Sequence, residues 1–343
     1  MSIFKKLLLL LIFLITGICL YTLYIQRIQI KTLIKEGLNE DDVSAAQNTE
    51  FKSIEDNTSP SIGSFPAEKE NLELRQLCIK SSYNTACTGK YVNLDMVEHI
   101  IIRGCRFLDF EIFLLDGKPV VGVSSDNSDS NIESKNTLPL SKVLQRVNNF
   151  AFQSPCPNPY DPMFIHLRMK TNDKALYKSV RQIVNDALSN RLVSNKVNGQ
   201  TKISSIMGKY VVVVDKSLIK NYNNEDVFKE IKQYNLESGG NSLRSYRNSN
   251  ILQEKYSSPK ISDDNINTDV VKYQMVLPDV GSNMYGIYVN PNIEKIIKNY
   301  GVQIICCSFY NKDTNLKTYE NFFGNFKGGI VPLARAVKKF EEE

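Results

Sequence analysis

From residue 72 onward the chain alternates short apolar runs with amphipathic segments, and this alternation limits its fold more than any other feature. Strand candidates lie at 77–81, 107–113, 119–123, 163–169, 210–215, 273–277, 302–309 and 329–333. Helix candidates at 94–104, 141–150, 174–190 and 292–300 fall between them, the signature of β/α units. Eight strands in that order over about 270 residues fit a closed (β/α)8 barrel. A doubly wound open sheet fits the alternation nearly as well, and periodicity alone does not separate the two.

The N-terminal 71 residues read differently. After Lys5-Lys6, residues 7–25 form nineteen consecutive uncharged, mostly apolar positions, ended by Gln26-Arg27. At about 1.5 Å per residue this nearly matches a hydrocarbon core of roughly 30 Å. A secretory signal has a shorter apolar region and a small-residue cleavage site. Here Tyr21-Thr22-Leu23-Tyr24 occupies the exit, and tyrosine suits the membrane interface. The pattern favours an uncleaved, single-pass transmembrane helix within residues 1–30 over a cleaved signal. Arg27, Lys31 and Lys35 balance Lys5 and Lys6, so charge does not fix the topology. Residues 31–71 turn polar, rich in Asp, Glu, Ser, Asn and Pro from 40 onward, and are expected to form a flexible stalk.

A formal charge of +5 is mild for 343 residues and argues against a nucleic-acid partner. Seven cysteines, an odd number without C-x-x-C spacing, read as free core thiols and favour a barrel on the reducing, cytosolic side. The sequon Asn57-Thr58-Ser59 points the other way.

Three motifs carry the chemistry. Ser81-Ser82-Tyr83-Asn84-Thr85 closes the first strand; Arg103-Gly104-Cys105-Arg106-Phe107-Leu108-Asp109-Phe110-Glu111 opens the second; Asp116-Gly117-Lys118-Pro119-Val120-Val121 turns into a third. Their order resembles the X half of phosphatidylinositol-specific phospholipase C, which reads S-H-N-T, R-G-C-R-x-x-E-x-D and D-G-x-P-V-V-x-H. Tyr160 to Arg168 resembles the fourth strand, which ends S-L-E. Val289-Asn290-Pro291 with Tyr300-Gly301-Val302-Gln303 resembles the Y-half pattern Y-N-P…G-C-Q, and Gly328-Gly329-Ile330-Val331-Pro332 resembles the closing strand. The likeness spans about residues 76–335 and implies a TIM-type phospholipase C-like barrel. An X-like half would cover 72–216, a connecting loop region 217–272 and a Y-like half 273–343. The Gly-rich stretch 235–244 is placed in a βα loop at the open end. The chain is also similar to sequences that large DNA viruses carry.

The resemblance implies a site at the barrel mouth, with two histidines for proton transfer and calcium to stabilise charge. Tyr83 stands at the first histidine, and tyrosine, with an ordinary pKa of about 10, is a poor base near neutral pH. Val123 stands at the second; a shift of one gives Ser124. Asn84, Asp109 and Glu111 fall at calcium-ligand positions, but Arg168 replaces the last acidic ligand. This leaves a vestigial metal site and an expectation of no cofactor, with Arg168 as a fixed cation between Asp109 and Glu111. Strand alternation puts Phe164, His166, Arg168 and Lys170 on one face. His166 then reads as a hydrogen-bonded core residue or, with Tyr83, as a relocated catalytic pair; His99 reads as a surface residue. Met275 and Leu277 stand where the family carries an inositol-gripping arginine and a tyrosine, and Arg244 and Arg247 offer other contacts.

Three readings follow. One is a membrane-anchored, catalytically degenerate barrel that binds a phospholipid headgroup through Asn84, Asp109, Glu111, Arg168 and Lys170, or scaffolds at a membrane. Another is a divergent phosphoric diester hydrolase, a phosphatidylinositol phospholipase C, acting on membrane lipids. The third is a structural protein with protein partners only.

Overall fold

The structure is a computed structural model that describes residues 16–17, 40–55, 61–125, 131–171, 173–216, 229, 234–255, 261–262, 265–266, 271–280 and 289–342. The chain divides into two units, Met1–Asn48 and Thr49–Glu343. Apart from Thr16 and Gly17, which are helical, the apolar run 7–25 lies outside the described residues. Among the described residues, no helix is long and apolar enough to cross a membrane.

The strands are β1 (Leu77–Ser82), β2 (Phe107–Leu115), β3 (Lys118–Gly122), β4 (Leu138–Pro139), β5 (Met163–Met169), β6 (Tyr210–Asp215), β7 (Leu236–Ser238), β8 (Arg244–Arg247), β9 (Ile261–Ser262), β10 (Asn265–Ile266), β11 (Gln274–Leu277), β12 (Ile304–Cys307) and β13 (Ile330–Pro332). Eight of them run β7-β6-β5-β2-β1-β12-β11-β8, every neighbouring pair parallel. A single parallel bridge, Ser238 to Leu243, joins β7 to β8 and closes the ring. Followed around from β1, each ring strand is the next one along the chain. That order makes a singly wound (β/α)8 barrel and rules out the doubly wound sheet, whose order reverses.

Alternation along the strands separates two apolar layers. Ile79, Phe107, Phe164, Val211, Met275 and Ile304 fill the barrel interior. Leu108, Ile165, Val212 and Ile305 face outward and pack against helices. Those helices are α2 (Leu94–Ile102), α3 (Leu140–Phe150), α4 (Lys174–Leu188), the single turn α5 (Asn248–Ile251), α6 (Ile293–Tyr300), α7 (Thr314–Phe326) and α8 (Leu333–Glu342), after α1 (Glu40–Ile54). Asn93, Asp173, Asn292 and Asp313 each cap a helix with a side-chain oxygen, and Gly301 ends α6 at a φ of 60°.

Several expectations change. The strand expected at 119–123 is β3, which pairs antiparallel with β2 outside the ring. Only Asp116 and Gly117 link the two, at φ values of 49° and 74°. A two-residue link with both residues left-handed makes a hairpin and is too short for the crossover that parallel strands need. The strand near 329–333 is β13, antiparallel to the lower end of β1. The missing ring members are β7, in the Gly-rich stretch assigned to a loop, and β8, which starts at its last residue; both lie within the region expected to connect the halves. Part of the stretch expected to be a stalk is also ordered: residues 40–54 form α1, and Phe51, Ile54, Ile62 and Phe65 are buried. The Phe65 amide donates to Asp161 Oδ1 at 2.7 Å, and Gly63 bridges Gly328. Those four apolar side chains account for the burial within residues 51–65. The cysteines among the described residues are free and buried, as expected for core thiols.

Candidate functional site

In the β2–β5 ladder Asp109 lies opposite His166 and Glu111 opposite Arg168. Alternation turns all four inward, while Phe110, Ile112, Leu167 and Met169 join the outer layer. Phe107 and Phe164, one step deeper, stack at 6.2 Å beneath them. A charged layer therefore sits on an aromatic floor toward the C-terminal mouth.

Arg168, 1% exposed, is the centre of that layer. Its Nε donates to Asp109 Oδ1 and its Nη2 to Asp109 Oδ2, both at 2.8 Å. Nη1 donates to Glu111 Oε1 at 2.8 Å, and Nη2 also reaches Asn84 Oδ1 at 2.6 Å. The guanidinium carbon lies 4.7 Å from the centre of the Tyr83 ring. The Ser-Tyr-Asn-Thr motif supplies this cage because its turn is fastened to β2. The Thr85 amide donates to the Asp109 carbonyl, Thr85 Oγ1 accepts from the Asp109 amide, and the Asn84 amide donates to Asp109 Oδ2 at 2.9 Å. Asn84 itself has a φ of 44°, a left-handed conformation that asparagine tolerates better than most residues.

Burial alone would raise the Asp109 carboxyl, but the adjacent Arg168 and the hydrogen bonds from His166 and Arg168 outweigh it and hold that group well below the usual carboxylate range. Burial would likewise lower Arg168, yet Asp109, Tyr83 and Glu111 hold it well above its ordinary value. The second Glu111 oxygen accepts from the Ser124 amide at 2.8 Å and lies 4.0 Å from Lys170 Nζ.

The sequence-predicted residues Tyr83, Asn84, Asp109, Glu111, His166, Arg168 and Lys170 thus converge in one place. Val123 is buried beside them, its amide bonded to Ser134 Oγ. The crevice between Asn84, Asp109, Glu111 and Val123 is too narrow for a water molecule. His99 is half-buried rather than on the open surface, edge-on to Phe51 at 5.9 Å.

Ser238 escaped the sequence reading, and Arg247, which offered only unspecified contacts there, has a defined place. Ser238 Oγ lies 2.8 Å from His166 Nε2, while His166 Nδ1 lies 2.8 Å from Asp109 Oδ1. Ser238 gave no signal, because its strand is the three residues Leu-Glu-Ser inside the Gly-rich stretch. Arg247 ends β8 beside Leu277, and its Nη1 donates to the Pro278 carbonyl at 2.8 Å and to Tyr83 Oη at 3.2 Å. Arg244, at the other end of β8, pairs with Gln274. Met275 and Leu277 belong to the apolar interior. A cavity of about 600 Å3 lies away from this site, on the flank beside His99, Arg103, Phe309, Leu316 and Glu320.

No family model and no curated protein sequence matches the chain. Its backbone is similar to the crystal structure of PLC21 from L. pealei over 78% of this chain, at 14% identity and a TM-score of 0.57. PLC21 from S. officinalis gives 78%, 14% and 0.51. The chain spans 39% and 38% of the lengths of those two proteins. The phosphatidylinositol-specific phospholipase C from Listeria monocytogenes matches over 77% of this chain and 98% of its own, at 10% identity and a TM-score of 0.40. The barrel has the phospholipase C-like fold; identities this low speak to fold alone.

Proposed function

We propose that this chain is a membrane-anchored, catalytically degenerate phospholipase C-like barrel that binds a phospholipid headgroup without cleaving it. The observation that carries the reading is the four-way hold on Arg168. Asn84, Asp109 and Glu111, the positions that resemble calcium ligands, converge on a guanidinium instead of an open position. Calcium does not fit there, because a buried cation already holds the oxygens it would need. Arg168 acts as an internal substitute for the ion. Tyr83 and Val123 leave no acid/base pair at the mouth, and losing one such group typically costs about 10²–10⁴-fold in rate. Both nitrogens of His166 are engaged within the core. The apolar run 7–25 supplies the membrane attachment.

The full chain in uncharged detergent tests this reading. Calorimetry with calcium is expected to show no binding, and with glycerophosphoinositol to show binding. Mixed micelles of phosphatidylinositol are expected to release no headgroup above a protein-free blank. Turnover abolished by His166→Ala, whose ring contacts Asp109, would favour the hydrolase. Absence of headgroup binding together with absence of turnover would favour a purely structural role.

A further inference from the structure

The charged layer is tied to a part of the ring that no motif marked. Ser238 on β7, His166 on β5 and Asp109 on β2 form one hydrogen-bonded line, 2.8 Å at each step, which ends on Arg168 Nε a further 2.8 Å on. Ser238, His166 and Asp109 are 0% exposed and Arg168 1%. An ionised carboxylate only accepts, so the proton between Asp109 and His166 belongs to Nδ1. In the neutral imidazole Nε2 is then the acceptor, and the Ser238 hydroxyl donates to it.

Serine, histidine and aspartate occur here in the order of an acyl-transfer relay. Two features exclude that use. Ser238 has no surface for a substrate to reach, and Asp109 Oδ1 is shared with a guanidinium instead of serving the imidazole alone. What the line does constrain is direction. His166, itself tied to β7, and the Asn84 amide each hold one oxygen of the Asp109 carboxylate, which aligns the pair with Nε and Nη2 of Arg168. β7 is only three residues long and meets β8 through the single Ser238–Leu243 bridge, and the Ser238–His166 hydrogen bond ties it across the barrel interior to β5.

We propose that Ser238 and His166 are positioning residues: through Asp109 they hold Arg168 in the place of a metal ion. The inference rests on the reading of Arg168 given above and names what keeps it there. His99 and His166 are the only histidines, so ¹⁵N-histidine labelling of the full chain in detergent gives two imidazole signatures. The expected result is His166 protonated at Nδ1, with its Nε2 resonance shifted by Ser238→Ala and restored by Ser238→Thr. Solvent exchange of the Arg168 Nε–H, followed in ¹⁵N-arginine protein, should be at least tenfold faster in Ser238→Ala and return toward wild type in Ser238→Thr. A proton at Nε2 alone, unchanged Arg168 exchange in Ser238→Ala, or labelling of Ser238 by a fluorophosphonate would each overturn the proposal. The two readings fail separately. Calcium binding by the wild-type chain removes the internal cation itself, whereas calcium exclusion with unchanged exchange removes only the positioning role.

Discussion

Arg168 and Asp109 meet through two parallel hydrogen bonds, Nε to Oδ1 and Nη2 to Oδ2, both 2.8 Å long and both out of contact with solvent. This fork is the geometry that makes arginine and lysine unequal partners for a carboxylate. Removing Arg168 strands two buried carboxylates, and breaking such a pair from one side costs about 3–5 kcal/mol. Arg168→Met is therefore expected to lower unfolding free energy by that amount in urea. Arg168→Lys should recover less than half of the loss, because an ammonium has three donors for the four bonds that Arg168 makes and lacks its planar fork. A lysine variant as stable as the wild type would show that charge alone, without the fork, holds the layer.

Arg168→Glu converts the same cage into four oxygen-bearing side chains, Asn84, Asp109, Glu111 and the new glutamate. Without metal this variant should be less stable than Arg168→Met, since three buried carboxylates then face one another. Added calcium should reverse the order, because an ion bound only by the folded state stabilises it by mass action, about 2.7 kcal/mol at a hundredfold excess over Kd. Thermal unfolding with and without calcium reads this directly. A variant insensitive to calcium would mean that the backbone has lost ligand geometry as well as the ligand.

Much of this layer was legible in the sequence, and the limit of that legibility is physical. Strand alternation placed Phe164, His166 and Arg168 on one inward face, as observed. It worked because β5 is seven residues long and continuously buried, so its period is unambiguous. β7 and β8 have three and four residues and the sequences Leu-Glu-Ser and Arg-Ser-Tyr-Arg, too short and too polar for a period to show. Ser238 was lost with them. The β3 error has another source: its Val-Val core reads as a buried strand, and only the left-handed Asp116-Gly117 pair reveals a hairpin. Residues 61–71 looked unstructured because their buried anchors, Ile62 and Phe65, are isolated among polar neighbours.

Acid should remove the stability that two buried, ion-paired carboxylates contribute. Against the opposing effect of burial, Arg168 and His166 hold Asp109 below its ordinary range, and Lys80 and Arg103 do the same for Glu320. A carboxyl whose folded pKa is depressed contributes stability that is complete above its unfolded value, near about 4. That contribution disappears as pH falls from there through the folded value. Stability should be flat from this source at pH 6–8 and fall below roughly pH 4, by up to about 1.4 kcal/mol per unit for each group. In Asp109→Asn the curve should start lower at neutral pH and descend less steeply in acid. Urea midpoints from pH 7 to pH 2.5 give both slopes, and parallel curves for the two proteins would contradict the assignment.

Tyr83 separates a packing role from a chemical one. Its ring is approached by the Arg168 guanidinium at 4.7 Å and the Arg247 guanidinium at 5.8 Å, whereas its hydroxyl meets only Arg247 Nη1 among the described contacts, at 3.2 Å. Cation–π contacts contribute about 0.5–2 kcal/mol when desolvated, and a hydrogen bond of this kind roughly 0.5–1.5. Tyr83→Phe keeps the ring and should cost no more than about 1 kcal/mol. Tyr83→Leu gives up both π contacts and should cost about 1–3. A double-mutant cycle with Arg247→Ala should return a coupling near 0.5–1 kcal/mol for the ring, because this arginine is only half-buried. The functional consequence runs in parallel: glycerophosphoinositol binding should survive Tyr83→Phe and weaken in Tyr83→Leu, as the rim beside Arg247 loosens. If Tyr83→Phe instead abolished a measurable phosphodiesterase rate, the hydroxyl would be acting as a base, and the degenerate reading of this mouth would have to be given up.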